Sequence, residues 1–282
     1  MIRFRRVPVG HNRTLTPPGV TLLRCADPRH RRQTPVLYET VRLSVIVPTL
    51  NEEATLVAAV EAVRERAVLG PPHEVIVADS GSADGTRAVA ARLGVRWVEA
   101  HADRAAPPGR AASLNAGARA ATGDVLLFLD ADTLLPEGWD REIASALDRP
   151  EAVGGAFELA FDGTELRLRL VELVDRIRYR ISRYYYGDQA VFARADAFRR
   201  VGGFPEQPLL ESADLCKKLK RVGRLVLVRR RVLTSPRRFR DGGILRVFAH
   251  DIRLWLLHRL GRPLERHGER YWEENRRRGR PE

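Results

Sequence analysis

The fold of this 282-residue chain is decided by the stretch from Val125 to Thr133, which reads Val-Leu-Leu-Phe-Leu-Asp-Ala-Asp-Thr. Five consecutive apolar residues are typical of a strand buried on both faces, and two carboxylates follow at once. In an extended backbone, side chains at i and i+2 point to the same side, so Asp130 and Asp132 are predicted to face one ligand, roughly 6.5 Å apart along the chain. Paired carboxylates suit Mg²⁺ or Mn²⁺, which take oxygen ligands. The alternative is a helix cap, in which Asp132 or Thr133 caps a helix that begins near Pro136.

Three strand-and-helix units precede this stretch, and the third has a predicted strand over Val95–Val98 and a helix over Arg110–Ala121. Leu43–Val47 predicts a buried strand and Glu52–Arg66 a helix, and the pattern repeats with a strand over Glu74–Ala78 and a helix from about Gly85 to Leu93. Strands that alternate with helices at about 20 to 30 residues predict βαβ units. The predicted fold class is therefore α/β, with a mostly parallel central sheet flanked by helices.

Polar residues follow three of the predicted strands at the point where each strand ends. Because ligands of parallel sheets bind beyond the carboxyl ends of the strands, we expect one site to be formed by Thr49, Asn51, Asp79, Asp84, Asp130 and Asp132. Turn or helix-cap roles are the alternative, with equal weight for Ser82 and Asp84. That alternative fits Asp79 less well, because Asp79 directly follows its strand.

The second half of the chain carries weaker patterns. Gly154–Phe161 alternates and predicts a half-exposed strand. Ile244–Leu260 predicts a long amphipathic helix, for which packing against the core and lying on a membrane surface both remain open. Glu165–Tyr185 predicts a basic amphipathic helix with an apolar face formed by Leu166, Leu170, Leu173, Val174, Ile177 and Ile181.

The composition restricts the partners and the compartment. With 49 Lys and Arg against 36 Asp and Glu, the net charge of +13 favours nucleotide phosphates or an anionic membrane surface. No nucleic-acid motif or aromatic platform is recognisable, so we expect no nucleic-acid partner. With no run of about 18 apolar residues and no apolar signal core, we expect a cytoplasmic protein, with a peripheral position at the inner face of the membrane as a further expectation. Cys25 and Cys216 match neither a disulfide framework nor a zinc site.

Several motifs, in order, give the chain a family resemblance. They are Ser44–Glu53, Val77–Thr86, Gly109-Arg110 with Asn115-Ala116-Gly117, Asp130-Ala131-Asp132, Gly187-Asp188-Gln189, Gly202–Pro205 and Glu211–Leu215. On these motifs, Leu43 to about Gly223 resembles the family 2 glycosyltransferases, which have the GT-A fold and move a sugar from a nucleotide donor. The pattern is most similar to the small soluble bacterial subgroup associated with radical-SAM enzymes and selenobiology.

The resemblance implies a domain organisation. A GT-A domain would occupy residues 42–240, with a Rossmann-like nucleotide-sugar half at 42–135 and a smaller, mixed acceptor half at 136–240. Residues 1–41, rich in proline and arginine, are predicted to form a loosely ordered basic extension. Residues 241–282 are predicted to form a C-terminal amphipathic helix and a charged tail.

The resemblance also implies an activity and its ligands. The chain would be a metal-dependent, inverting, hexosyl-type glycosyltransferase that uses a uridine or guanosine diphosphate sugar and a small or membrane-associated acceptor. The metal, Mn²⁺ or Mg²⁺, would be held by Asp130 and Asp132. The nucleotide-sugar would be bound by Pro48, Thr49, Glu52, Asp79, Arg110, Asn115 and Asp130.

One position departs from the family pattern. The family usually has Glu-Asp where this chain has Glu211-Ser212, and the Asp acts as the base that takes a proton from the acceptor hydroxyl. Ser212 is not a general base by itself, so the candidates, in order of preference, are Glu211, Asp214 and Asp188. The alternative function is a catalytically impaired GT-A domain that serves as a nucleotide-binding, membrane or partner adaptor.

Overall fold

The structure is a computed structural model that describes residues 20–23, 36–39, 41–70, 73–100, 109–262, 264 and 267–268. The described strands are β1 (Val20–Leu23), β2 (Val36–Glu39), β3 (Leu43–Thr49), β4 (Glu74–Asp79), β5 (Arg96–Glu99), β6 (Val125–Phe128), β7 (Thr133–Leu134), β8 (Ala152–Phe161), β9 (Phe192–Arg194) and β10 (Arg224–Thr234). The described helices are α1 (Leu56–Glu65), α2 (Thr86–Arg92), α3 (Arg110–Ala120), α4 (Trp139–Leu147), α5 (Leu166–Ser182), α6 (Ala195–Arg200), α7 (Glu211–Leu219), α8 (Arg237–Gly242) and α9 (Ile244–Arg259). A 3₁₀ turn covers Gly187–Gln189.

One mixed sheet organises the chain, with the strand order β5-β4-β3-β6-β9-β8-β10-β7. Strands β5, β4, β3 and β6 are parallel, β9 runs antiparallel to both β6 and β8, and β10 runs parallel to β8. The parallel half confirms the prediction from the repeated strand-and-helix units, and the α/β fold class is confirmed. The antiparallel β9 joins the two halves into one sheet.

The continuous apolar runs are explained by packing on both faces of the sheet. Along β3, Val45 and Val47 belong to one buried cluster, whereas Ile46 belongs to the cluster on the other face. Leu127 and Phe128 of β6 divide in the same way between the two clusters. Because successive strand residues point to opposite faces, a strand covered on both sides needs apolar residues at every position.

The prediction of a half-exposed strand at residues 154–161 is wrong. All ten residues of β8 are buried, since the strand lies between β9 and β10 and contacts both α4 and α5. Its polar residue, Glu158, stays buried by pairing with Arg180, at 2.5 Å. The polar residue within residues 154–161 therefore marks a salt bridge to helix α5 and not a strand face in contact with water.

Two amphipathic helices leave apolar residues in solvent. Helix α5 buries Leu168, Val171 and Tyr179, whereas most of its predicted apolar face is exposed. Helix α9 packs Val247 and Phe248 against the core and buries Leu254, but it also exposes an apolar row. Among the described residues, no helix is long and apolar enough to span a membrane.

The predicted basic extension lies mostly outside the described residues. Its described part consists of β1 and β2, which pair antiparallel to each other in a separate sheet. The predicted charged tail after Glu269 also lies outside the described residues, as does Cys25. Cys216 is a buried free thiol.

Candidate active site

The loops after β3 and β4 are braced against each other through Asp79. Its two carboxylate oxygens accept hydrogen bonds from Thr49 Oγ1 at 2.9 Å, from the Gly81 and Ser82 backbone N–H groups at 2.8 Å each, and from Ser82 Oγ at 2.5 Å. A carboxylate offers about four acceptor positions, so the loops use all of them. The predicted nucleoside contact of Asp79 would require the nucleoside to replace one of these donors.

Asn51 and Asp84 add further links between the same two loops. Asn51 has a left-handed backbone, φ 58°, and its side-chain oxygen accepts the Ala83 N–H at 2.8 Å. Asp84 accepts the Thr86 N–H at 3.0 Å and the Glu53 N–H at 3.2 Å. Asp84 therefore has the turn role that its position before α2 allowed.

Asp130 and Asp132 lie in a turn and not in an extended strand. Strand β6 ends at Phe128, and the Thr133 N–H donates to the Asp130 carbonyl at 3.0 Å. The helix-cap alternative is excluded, because α4 begins only at Trp139 and has Gly138 as its N-terminal cap. The two carboxylates remain at the carboxyl end of β6, but each of them contacts a different arginine.

The first arginine is Arg110, at the start of α3. Its Nε and Nη2 atoms donate to Asp130 Oδ1 at 3.1 and 2.5 Å, and Nη1 donates to Glu211 and, at 3.3 Å, to Ser212 Oγ. The guanidinium therefore joins the end of β6 to the start of α7. Gly187 makes room for this arrangement, since a Cβ atom at that position would collide with the Arg110 guanidinium.

The second arginine is Arg237, at the start of α8. It pairs with Glu52, and its Nε lies 3.2 Å from Asp132 Oδ2. No role was predicted for Arg237 from the sequence. The available signal was its position directly after a strand, in Ser235-Pro236-Arg237, but the three arginines at positions 229–231 do not resemble a strand, so the end of β10 is not readable in the sequence.

These residues form an acidic cluster, defined here as Glu52, Asp130, Asp132, Asp188 and Glu211, with Arg110 and Arg237 between them. Burial raises the pKa of Asp132 to about 7, and the charge of the nearby Asp130 is the second cause. Arg237 opposes this shift. Burial, followed by Asp175 and Asp130, raises the pKa of Asp188 to about 7 as well. The cluster therefore carries more negative charge than its two arginines offset.

The three candidate bases lie in different surroundings. Glu211 is 9% exposed and pairs with Arg110, and Ser212 Oγ lies 3.3 Å from the same Glu211 oxygen. Asp214 contacts His258, Lys217 and Gln207 at 2.6 to 2.8 Å. The bonds from these partners hold the pKa of Asp214 below its ordinary value despite partial burial. Glu211 and Asp188 share Arg110 as a neighbour, whereas the three partners of Asp214, which include Lys217 of the same helix α7, lie outside the acidic cluster.

Asn115 and Pro48 lie beside the cluster. The Asn115 side chain donates to the Phe204 carbonyl at 2.9 Å and accepts the Phe204 N–H at 3.0 Å, which fixes the Gly203-Phe204 turn. Pro48 is the partly buried penultimate residue of β3 and precedes the buried Thr49. The predicted donor contacts of these two residues stay predictions.

Residues 44–203, more than half of the chain, match the protein family described as Glycosyl transferase family 2. The chain belongs to glycosyltransferase family 2. The matched region contains β3 to β9, and with them Arg110, Asp130 and Asp132.

Curated relatives of this family 2 chain include glucosyl-3-phosphoglycerate synthase of Mycobacterium tuberculosis (strain CDC 1551 / Oshkosh), 36% identical over 99 residues. That match covers 33% of this chain and 30% of the relative, so the chain spans about a third of that relative's length. Glycosyltransferase AglE of Haloferax volcanii is 24% identical over 216 residues, which cover 74% of this chain and 65% of AglE.

Two solved structures share the fold of the family 2 chain. Glucosyl-3-phosphoglycerate synthase from M. tuberculosis, in complex with Mn²⁺, uridine diphosphate and glucosyl-3-phosphoglycerate, has a TM-score of 0.57 at 24% identity, over 79% of this chain and 81% of that one. The mannosyltransferase PcManGT from Pyrobaculum calidifontis, in complex with GDP-Man and Mn²⁺, has a TM-score of 0.54 at 21% identity, over 83% and 68%. At these identities the likeness shows the GT-A fold alone.

The carboxylates of the acidic cluster are oxygen ligands of the kind that a hard divalent cation takes. Among the residues that the structure describes, no group of three or more His, Cys, Asp or Glu side chains is arranged as a metal site. Burial raises the pKa of Asp132, and the neighbouring Asp130 adds to the shift, so a positive charge placed between the two carboxylates would favour their ionised forms. Oxygen ligands in this condition are those that a hard cation compensates.

Proposed function

We propose that this family 2 chain is a metal-dependent, inverting glycosyltransferase that moves a sugar from a nucleotide-sugar to a small or membrane-associated acceptor. The observation that carries the proposal is the acidic cluster, whose members gather around Arg110 and Arg237 beyond the carboxyl ends of β3 and β6. Ligands of parallel sheets bind at this edge. A nucleoside diphosphate sugar supplies the phosphates that arginines and a divalent cation recognise.

Asp130 and Asp132 are the proposed ligands of Mn²⁺ or Mg²⁺. When bound, such a cation neutralises the charge that develops on a departing nucleoside diphosphate. The two arginines offer forked N–H donors, which match phosphate oxygens. Arg110 and Arg237 would therefore exchange part of their carboxylate contacts for contacts with the donor diphosphate.

The proposed proton acceptor is a carboxylate of the acidic cluster. Inversion needs a carboxylate that takes the proton of the acceptor hydroxyl on the side opposite the leaving group. Glu211 remains the first choice, because it lies in the cluster beside Ser212. Asp188 becomes the second choice, since its raised pKa lies in the range where a general base works best. Asp214 is the third choice. Its contacts with His258, Lys217 and Gln207 lower its pKa and use its carboxylate oxygens, so it is a weaker proton acceptor than the other two.

The location of the acceptor is inferred from the two exposed helix faces. Leu166, Leu170, Leu173, Ile177 and Ile181 of α5 are at least 50% exposed. Helix α9 packs against α5 and exposes Leu245, Ile252 and Leu256, and Leu260, directly after the helix, is exposed as well. Arginines flank both rows, so the surface suits the anionic face of a membrane. We infer that the protein binds this surface and that its acceptor is reached there.

The central test is donor turnover. The protein is incubated with Mn²⁺ and either UDP-glucose or GDP-mannose, and the release of nucleotide is measured. Asp132→Asn should lower the release at least tenfold, whereas Asp162→Asn, an exposed carboxylate outside the cluster, should leave it unchanged. Equal release by the Asp132 variant would refute the proposed metal role.

A second outcome separates the enzyme from the adaptor alternative. If the unaltered protein binds the donor but releases no nucleotide with any sugar or acceptor, and Glu211→Gln leaves binding unchanged, the adaptor function is correct. If it transfers sugar, the anomeric configuration of the product, read by NMR, decides between inversion and retention.

A further inference from the structure

A cavity of about 380 Å³ lies between the carboxyl end of α5 and the amino ends of β8 and β10. Ala152, at the start of β8, and Leu225, near the start of β10, both line it. The acidic cluster lies at the other end of these strands, where the Ser235 N–H donates to the Asp132 carbonyl just after β10. Arg229, the wall residue farthest along β10, lies six positions before Ser235, roughly 20 Å along the strand. No described residue of the cavity wall bonds to the cluster.

The wall of the cavity has more guanidinium groups than carboxylates to pair with them. Five arginines line it together with two glutamates: Arg149, Arg180, Arg183, Arg224, Arg229, Glu151 and Glu158. Glu158 is already paired with Arg180, and Glu151 lies 3.8 Å from Arg224. Arg149 and Arg229 contact no carboxylate within the described part of the chain. The Arg183 side chain donates to the Leu225 carbonyl, at 3.3 Å, and pairs with no carboxylate among the described residues.

A buried hydroxyl in the same wall points independently to a ligand. Tyr185 is 0% exposed, and its hydroxyl has no hydrogen-bond partner among the described residues. Burial raises the pKa of this hydroxyl far above its ordinary value, so the group remains an O–H donor. Buried polar atoms in folded proteins almost always have a partner. Because Tyr185 lines the cavity, an acceptor atom of a ligand that reaches the hydroxyl from the cavity would supply one.

We propose that this cavity binds a small soluble molecule that carries a phosphate group, with Arg183 and Arg229 on the phosphate oxygens and the Tyr185 hydroxyl as a further donor. Arginine pairs with phosphate through two parallel N–H donors, which makes it the side chain best suited to this ligand. The volume falls within the range of about 300 to 1,000 Å³ that is usual for small-molecule sites. The site is separate from the proposed transfer reaction and does not depend on it.

The first test uses inorganic phosphate as the probe. Binding to the full chain is followed by isothermal titration calorimetry in the presence of EDTA. We expect saturable binding that the double variant Arg183→Gln/Arg229→Gln weakens at least tenfold. The control is Arg92→Gln/Arg119→Gln, which removes the same charge from exposed positions elsewhere. No saturable binding up to tens of millimolar phosphate, or equal weakening by both double variants, would overturn the proposal.

The second test uses Tyr185→Phe, which removes only the hydroxyl. Because that hydroxyl bonds to no described residue, the midpoint of urea unfolding without phosphate should be unchanged or raised, while phosphate binding weakens severalfold. A lower midpoint together with unchanged phosphate binding would show that the hydroxyl is structural and does not donate to a ligand.

Discussion

Asp188 is held in surroundings that disfavour its charge. It follows Gly187 in the 3₁₀ turn, and burial, Asp175 of α5 and Asp130 raise its pKa to about 7. Arg178 and Arg110 oppose the shift but do not cancel it. An aspartate that ionises only near neutral pH is well suited to proton transfer, but its ionisation lowers the stability of the fold.

Asp188→Asn tests this residue through the pH dependence of stability. Between the unfolded pKa, near 4, and the folded pKa of about 7, the native state holds a proton that the unfolded state has lost, so stability falls as the pH rises. The variant lacks this loss. We expect its advantage in the free energy of unfolding to grow by about 2.7 kcal/mol between pH 5 and pH 8. Urea unfolding at both pH values measures it.

The matched control is Asp162→Asn, whose carboxylate is exposed. Its difference from the unaltered protein should not change with pH. An advantage of Asp188→Asn that is constant between pH 5 and pH 8 would contradict the raised pKa.

Gly187 allows a sharper test of the position of Arg110. In Gly187→Ala the new methyl group meets the Arg110 guanidinium, the movable end of a long side chain, so the guanidinium should shift and the fold should persist. We expect nucleotide release from the donor to fall at least tenfold, with the free energy of unfolding lowered by about 1 to 3 kcal/mol, because the Arg110 ion pairs are disturbed. Gly109→Ala is the control, because a Cβ atom there meets nothing within 4 Å. Equal activities of the two variants would show that the Arg110 position does not matter.

At the scale of elements, the sequence predicts those strands that are buried on both faces of the sheet. Strands β3, β4 and β6 were predictable, because parallel strands covered on both sides must be apolar throughout. The second half of β10 was not, since Arg229, Arg230 and Arg231 do not resemble a strand. A register shift between Val228 and Arg231 explains them: the bulge lets exposed arginines continue a strand whose next inward residue, Val232, is buried.

The apolar row of α5 shows a second limit of sequence patterns. The helical spacing of Leu166, Leu170 and Leu173 correctly predicted a helix. Periodicity alone does not say whether an apolar row packs on the protein core or faces the surroundings of the protein. The core contacts of α5 are made by Leu168 and Val171, between the members of the row. The exposed row therefore becomes an argument for the proposed membrane surface.

The membrane proposal is tested by changing both exposed rows without truncating α9, since α9 also packs on the core. The intact protein should float with vesicles of phosphatidylcholine and phosphatidylglycerol. Leu173→Gln/Ile177→Gln in α5, or Ile252→Gln/Leu256→Gln in α9, should each lower the bound fraction at least fivefold. Val68→Gln, an exposed apolar residue elsewhere, should not. If light scattering shows a dimer and the protein does not bind vesicles, the exposed rows form a contact between two copies of the chain and not a membrane surface.

At the scale of the whole molecule, the candidate site brings together residues that lie far apart in the sequence, and no sequence pattern predicts that they meet. Glu52 and Arg237 are 185 positions apart, and Arg110 and Glu211 are 101 apart. Strand ends could be predicted to converge, because parallel strands share one edge. The return of α8 to that edge depends on the antiparallel pairing of β10 with β7, where Thr133 bonds to Thr234 at 2.9 Å. A two-residue strand such as β7 leaves no readable pattern.

Because the candidate site is formed by residues from distant parts of the chain, it exists only in the folded protein. Binding of the proposed ligands should therefore raise the free energy of unfolding of the whole chain. If Mn²⁺ and uridine diphosphate bind only to the folded protein at about 100 times their dissociation constant, they should add about 2.7 kcal/mol to the free energy of unfolding. For a chain of this size, the thermal midpoint should rise by roughly 5 to 10 °C, and EDTA should reverse the rise. Asp132→Asn should abolish the increment, because it removes a proposed metal ligand, while Asp162→Asn keeps it. Since Asp132 also contacts Arg237, the decisive comparison is the increment with and without ligands within each variant, and an increment that survives in Asp132→Asn would place the metal elsewhere.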